Sequence, residues 1–232
     1  VDLLEEAYNY EPPVEAGVKA FSAQNLKLVA ATELINGYLV MAERNRNTDK
    51  FDECLDKARG TIQELKGEVQ KSAIIDLLHG KLALLNGRYS FAVDKLETAN
   101  KKFEGRNPEA IFLSAIALKR SGETGAAAER LERLANALKG KQSLRVLREL
   151  ATVYLDANQI PRATTAVDKM LDIAPDYEEA LIIKSETLRR EYELEESAMR
   201  SGSSRSLQRA IDLVRPMADA NNHKAILQLA RL

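Results

Sequence analysis

The sequence predicts an all-α protein built from repeated helix hairpins, and three observations support this. Helix formers dominate, with 32 alanines and 32 leucines among 232 residues against 11 glycines and 6 prolines. Small, turn-forming and bulky residues recur every 35 or 36 positions. Within each unit the apolar residues follow helical spacing. This composition disfavours a β-sandwich, a disordered tail and a collagen-like chain.

Four columns of residues move in register through the middle of the chain. The first holds small residues, the second turn formers, the third alanine and the fourth bulky aliphatic residues. The columns are Gly80, Ala115 and Ala151; Gly87, Gly122 and Asn158; Ala92, Ala127 and Ala163; and Leu96, Leu131 and Val167. Because each column keeps its chemical character, we interpret the pattern as a structural repeat.

Residues 144–175 show how one unit is predicted to fold. Its first helix has one apolar face, with residues at i, i+3, i+4 and i+7: Leu147, Leu150, Ala151 and Tyr154. Asn158 can adopt a left-handed conformation, and Pro161 suits the first turn of the next helix. Pro175 ends that second helix, because proline disfavours helical geometry in the residue before it.

This pattern resembles the tetratricopeptide repeat (TPR) family, whose unit is a 34-residue helix-turn-helix. Leu147, Leu150-Ala151, Tyr154, Ala163, Val167 and Pro175 match the family's positions, with Met170 where the family prefers Ala. The resemblance implies a right-handed α-solenoid whose first helices line a concave groove. We expect a single solenoid over residues 1–232, with repeats at about 35–72, 73–107, 108–143, 144–177 and 178–223.

Three regions depart from the regular repeat. The last unit carries an insertion at residues 191–206, which predicts an extended first helix followed by a serine-rich loop. Residues 15–47 read as two separate first helices without a clear pairing. Partial repeats are expected at both ends: Leu4, Ala7 and Pro12 match the end of a second helix, and residues 225–232 match the start of a new first helix.

The resemblance places a set of side chains in the groove, apolar in the first half and basic in the second. A ligand that combines an apolar anchor with acidic residues would match it. The alternative is that the apolar residues pack against neighbouring helices and the arginines pair with glutamates. The predicted groove residues are Leu77, Lys81, Leu84, Phe112, Ile116, Lys119, Arg145, Arg148 and Arg189, with Ile74, Thr152, Leu155, Glu186 and Arg190 beside them.

The chemistry of an enzyme or metal site is missing from the sequence pattern. His79, His223 and Cys54 are the only residues of their kinds, too few for a usual zinc site. We expect His79 and Cys54 to pack between helices and His223 to lie in a solvated loop. No Ser-His-Asp or Cys-His arrangement is visible, and the Lys-and-Asn carboxylate clamp of chaperone-binding TPR proteins is absent. The sequence therefore predicts no enzyme activity and no cofactor.

Charge and hydropathy limit the partners. The net charge of −1 gives no general reason to bind nucleic acid, and no apolar stretch is long enough to span a bilayer. We expect a protein–protein interaction scaffold that binds a peptide or a partner subunit, with self-association through open repeat ends as a further option. The alternatives are an accessory region of a larger envelope assembly, polysaccharide export or secretion component or multidomain enzyme and, more weakly, an RNA-binding repeat. The sequence does not indicate the cellular compartment.

Overall fold

The computed structural model describes residues 1, 5, 8, 18–65, 69, 71–197 and 204–232, and every regular element in these residues is helical. This confirms the predicted all-α class. The chain divides into two compact units, Val1–Gly122 and Glu123–Leu232. The boundary falls at the turn that the sequence places inside the repeat 108–143.

The helices of unit 1 that the structure describes begin at Val18. In chain order they are α1 (Val18–Arg44), α2 (Lys50–Glu64), α3 (Ala73–Leu85), α4 (Tyr89–Lys102) and α5 (Pro108–Ser121). Helix α1 packs on α2, and α4 packs between α3 and α5. The core beneath α1 to α3 includes Ile35, Leu55 and Leu78, each at most 2% exposed.

The expectation of two helices within residues 15–47 is wrong for the described residues, because α1 continues without a break from Val18 to Arg44. No proline interrupts this segment, and its single glycine, Gly37, costs a helix only about 1 kcal/mol. Leu34, Ile35 and Tyr38 are buried on either side of that point. Their burial favours a continuous helix over a turn at the Asn36-Gly37 pair.

Unit 2 continues the alternation of first and second helices. Its helices are α6 (Thr124–Ala137), α7 (Leu144–Asp156), α8 (Ile160–Ile173), α9 (Glu178–Ser197), α10 (Ser204–Asp219) and α11 (His223–Leu229), with a 3₁₀ turn at Gly140–Ser143 before α7. Helix α7 packs on α8, α9 on α10, and α10 on α11. The prediction that His223 lies in a loop is wrong, because His223 is the first residue of α11. The helix begins there because the side chain of Asn222 caps its first turn.

Some predicted features lie outside the described residues. These are the N-terminal match at Leu4, Ala7 and Pro12 and the part of the insertion at 198–203. Helix α9, which precedes that part, has 20 residues, whereas the first helices α3, α5 and α7 have 13 or 14.

The turn-forming column has the backbone geometry that its residue types indicate. Gly87, Gly122 and Asn158 have φ values of 71°, 93° and 55°, all in the left-handed region. Two of these turns carry the backbone bond that typically ends a helix at a left-handed residue: the Arg88 amide donates to the Ala83 carbonyl at 2.9 Å and the Gln159 amide to the Tyr154 carbonyl at 2.7 Å. The column therefore marks where a first helix stops and its partner begins.

The small-residue columns mark close contacts between helices. A Cβ placed on Gly80 would lie 2.5 Å from Cγ of Leu96, so α3 and α4 approach there more closely than an alanine would allow. Leu96 is itself fully buried. In unit 2, Ala151 and Ala163 have no exposed surface. Small residues are thus required where paired helices touch.

Candidate functional site

In unit 1 the residues predicted to line the groove differ in burial. Leu77 and Phe112 are 7% and 6% exposed, so most of their surface is used in helix packing. The remaining four are half-buried and keep part of their surface accessible: Lys81, Leu84, Ile116 and Lys119. The part of this surface that a ligand can reach is therefore mixed, with two aliphatic side chains and two lysine stems.

Lys81 joins three successive first helices of unit 1. Its ammonium lies 2.8 Å from Oε1 of Glu109 on α5 and donates to Oδ1 of Asn36 on α1 at 3.1 Å. The lysine side chain is only 17% exposed. Because its charge is already neutralised by Glu109, Lys81 fixes the spacing of α1, α3 and α5 rather than presenting a free cation.

A second charged cluster of unit 1 lies between the helices of one hairpin. The carboxylate of Asp76 on α3, 9% exposed, accepts from Lys95 at 3.3 Å and from Lys102 at 2.5 Å, both on α4. Lys102 also donates to the Lys71 carbonyl at 2.7 Å. Nearby, burial and the charge of Lys95 lower the pKa of His79, while Asp76 opposes this effect. His79 therefore favours its neutral form at this packed position.

The predicted basic residues of unit 2 take part in ion pairs. Arg148 lies 2.9 Å from Oε1 of its neighbour Glu149. Arg189 donates twice to the Glu186 carboxylate, at 2.8 and 2.9 Å, and also pairs with Glu193. Arg145 is exposed at the start of α7. The positive charge that the sequence suggests along this surface is therefore largely balanced by neighbouring carboxylates.

Glu186 is the centre of the polar contacts between the first helices of unit 2. Besides Arg189 it accepts from Arg190 Nε at 2.8 Å and from Nε2 of Gln228 on α11 at 3.1 Å. Arg190 also donates to the Leu155 carbonyl of α7 at 2.9 Å. Burial of the Glu186 carboxyl works against ionisation, but the hydrogen bonds from these partners outweigh it and lower the pKa to about 2. Glu186 thus connects α7, α9 and α11 as a fixed negative charge.

Sequence reasoning missed the polar partners that define these surfaces. Asn36, Glu109 and Gln228 lie on helices distant in sequence from the residues they contact, and no spacing rule links them. The pairing of Glu186 with Arg189 and Arg190 carried a signal, since positions i+3 and i+4 of a helix are neighbours.

The structure also places Cys54 and allows a search for metal-binding groups and membrane-spanning helices. Cys54 is a buried free thiol in the core of unit 1. Within the described residues no group of three or more His, Cys, Asp and Glu side chains is arranged to hold a metal ion. The same residues include no helix that combines the length and the apolar character needed to cross a membrane.

Comparison with solved structures shows which fold these helices form. No protein-family model matches the chain, and no curated protein matches it. The chain is similar to the C-terminal part of a TPR repeat-containing protein from Cytophaga hutchinsonii, with a TM-score of 0.62 and 14% identity over 98% of this chain and 78% of that one. The fold is thus that of a TPR-like repeat protein, as the sequence pattern indicates.

Two further structures support the same fold. The chain is similar to YrrB, described as a TPR protein with an unusual peptide-binding site, with a TM-score of 0.58 and 16% identity over 94% of this chain and 99% of that one. It is also similar to MamA, with a TM-score of 0.56 and 18% identity over 77% of this chain and 96% of that one. At these identities the likeness establishes the fold and leaves the partner to be determined from the chain's own residues.

Proposed function

We propose that this chain is a non-catalytic protein–protein interaction scaffold that binds a peptide segment or a partner subunit through the surfaces formed by its first helices. The observation that carries the proposal is the pair of polar centres at Lys81 and Glu186. Each joins three successive first helices and so holds the surface in place before a partner arrives. A preformed surface loses less conformational entropy on binding.

The two units offer different kinds of contact. In unit 1 the half-buried Leu84 and Ile116 offer aliphatic contacts beside Lys81. In unit 2 Arg145 is exposed, and Arg148, one-third exposed, can exchange the Glu149 carboxylate for one from a ligand. The unit 1 surface therefore suits bulky aliphatic residues of a peptide, which supply affinity, and the unit 2 surface suits acidic residues, which supply orientation.

The similarity to YrrB is consistent with this proposal, since YrrB is described as having a peptide-binding site. The alternative, that this repeat region serves a larger assembly or a multidomain enzyme, uses the same surfaces. In that case the partner is a subunit or another domain instead of a separate peptide.

A peptide selection tests the proposal. The full chain is immobilised and a display library of random peptides is selected against it; we expect enrichment of peptides that carry Asp or Glu and of peptides that carry Leu, Ile or Phe. The double variant Arg145→Glu, Arg148→Glu should weaken binding of the acidic peptides by roughly tenfold or more, because it places carboxylates where acidic residues would bind.

The matched control also reverses the charge of two arginines. Arg106 and Arg133 are 82% and 70% exposed, lie outside the first helices and pair with the exposed Glu104 and Glu129, so Arg106→Glu, Arg133→Glu should leave affinity unchanged. Circular dichroism checks that both variants stay helical. Equal affinity of the wild type, the test variant and the control variant for every selected peptide would refute binding at the first-helix surface.

A further inference from the structure

A cleft lies on the second-helix side of unit 2, away from the residues predicted to bind. Its walls are α6 and α8, which are successive second helices, and its floor is the first helix α7. Two adjoining cavities of about 310 and 260 Å³ make up the cleft, and both are lined in part by Glu132, Tyr154 and Arg162. All of these residues belong to unit 2.

The larger cavity has an aliphatic floor and small walls. Leu147 and Leu150 of α7 are 4% and 5% exposed and form the floor. Ala135 on α6 and Ala166 on α8 face it from the two sides. Because these wall residues end at Cβ, α6 and α8 leave space above the floor that longer side chains would fill.

Glu132 and Arg162 form a bridge between the two walls of the cleft. Arg162 Nη2 lies 2.6 Å from Glu132 Oε1, and the Tyr154 hydroxyl donates to the same carboxylate oxygen. The guanidinium also lies over the Tyr154 ring, 4.4 Å from its centroid, and donates to Gln159 at 3.0 Å. These contacts use two of its five N–H groups, so a positioned guanidinium remains able to donate to a ligand.

The rim of the larger cavity carries two more donors. Lys169 lies two turns beyond Arg162 on α8, and Asn136 faces it from α6; both side chains are exposed and line the cavity. Neither side chain has a hydrogen bond or ion pair with another described residue. Glu132 is the only carboxylate in this lining, and Arg162 already neutralises it. The cavity thus combines an aliphatic floor with an uncompensated positive charge.

We propose that this cleft is a second binding site, which takes a short peptide segment bearing an aliphatic side chain next to a carboxylate. The aliphatic side chain lies on Leu147 and Leu150 between Ala135 and Ala166. The carboxylate accepts from Lys169, with Asn136 and the free N–H groups of Arg162 completing its hydrogen bonds. The carboxylate comes either from a chain terminus or from an Asp or Glu side chain.

The openness of the cleft favours a peptide over a cofactor. Small-molecule sites usually bury most of the ligand. The larger cavity is open to solvent at its rim, where Lys169 and Asn136 are exposed. One side chain can be buried here while the rest of an extended segment stays outside.

Three fluorescein-labelled peptides test the site by fluorescence anisotropy with the full chain. One is a Gly- and Ser-based hexapeptide ending in Leu with a free carboxylate, the second is its C-terminal amide, and the third is that amide with Asp placed before Leu. We expect the amide without Asp to bind roughly tenfold more weakly than at least one acidic peptide. The acidic peptide that binds better identifies the source of the carboxylate.

Variants separate this cleft from the first-helix surface. Lys169→Gln should reduce the affinity for the acidic peptide to that of the neutral amide, and Ala135→Leu should abolish binding by filling the cavity. Ala126→Leu, an exposed site on the same helix, is the matched control and should bind as the wild type does. Arg145→Glu, Arg148→Glu should also leave binding here unchanged, so failure of the proposed function is distinguishable from failure of this inference.

Two results would overturn the inference. The first is equal binding, or no binding, of all three peptides by the wild type. The second is unaltered binding of the acidic peptide by both Lys169→Gln and Ala135→Leu.

Discussion

Each unit contains a carboxylate bound by two cations, but the two carboxylates join different parts of their units. Asp76 in unit 1 is bound by two lysines from α4, so it fastens the two helices of one hairpin. Glu186 in unit 2 is bound by two arginines of its own helix and by Gln228 of α11, and Arg190 reaches back to α7.

The difference follows from where the cations make their other contacts. Lys102 also donates to the Lys71 carbonyl just before α3, so its contacts stay within one hairpin. Arg190 donates to Glu186 on α9 and also to the Leu155 carbonyl on α7. Similar carboxylates can therefore stabilise either a hairpin or the stacking of first helices, depending on which helices their cations reach.

Removing each carboxylate gives the largest expected effect. Asp76→Asn leaves Lys95 and Lys102 without their anion, and Glu186→Gln does the same to Arg190, while Arg189 keeps Glu193. We expect each change to cost about 2–3 kcal/mol of unfolding free energy in urea titrations. Hydrogen exchange distinguishes them: Asp76→Asn should speed exchange mainly in α3 and α4, and Glu186→Gln in α7, α9 and α11. The comparison fails if Glu186→Gln affects α9 alone.

Acid should expose the contribution of Glu186. Its pKa is about 2 in the folded chain, against 4.5 as the ordinary value. The folded state therefore favours the ionised form, and the resulting stability is complete above about pH 5 and is lost as the pH falls towards 2. The difference in urea midpoint between the wild type and Glu186→Gln should shrink across this range. A difference independent of pH would contradict the role given to ionised Glu186.

Substitutions in the small-residue column should give the smallest changes in stability, and they compare a hairpin of unit 1 with one of unit 2. Gly80→Ala should destabilise unit 1 by about 1 kcal/mol, because overpacking against Leu96 outweighs the better helix propensity. At the corresponding position of unit 2, Ala151→Gly should also cost about 1 kcal/mol. Gly60→Ala is the control, since no atom lies within 4 Å of the added Cβ, and it should stabilise α2 slightly. A stabilised Gly80→Ala variant in thermal melts would refute the close contact.

The periodic part of the fold could be predicted from the sequence because each column has a local physical cause. A left-handed turn requires glycine or asparagine, which identifies Gly87, Gly122 and Asn158, and a close helix contact requires the small Ala151 and Ala163. These requirements recur at fixed spacing and can be read without knowing the neighbours. The prediction of two helices where α1 lies is wrong because it rests on two matches to a first helix, although no helix-ending residue stands between them.

The polar contacts could not be predicted in the same way. Whether Arg148 or Arg189 faces a ligand or a glutamate depends on side-chain directions and on residues from other helices, and the sequence pattern left both options open. The aliphatic side chains show the same limit, since Leu77 is buried whereas Leu84, seven residues further on α3, stays half-buried. The cleft over α7 exists because Ala135 on α6 and Ala166 on α8 are small. Neither residue belongs to one of the repeating columns, so the sequence pattern does not indicate the cleft.

The burial of Cys54 makes its thiol a probe for the opening of unit 1. It is the only cysteine in the sequence, it lies in the core of unit 1, and 5% of its surface is exposed. A thiol reagent can reach it only when that core opens, so the rate of alkylation measures the opening of unit 1 even while unit 2 stays folded. Compared with the rate at which the whole chain loses its helical circular dichroism, the alkylation rate shows whether unit 1 opens before the whole chain unfolds.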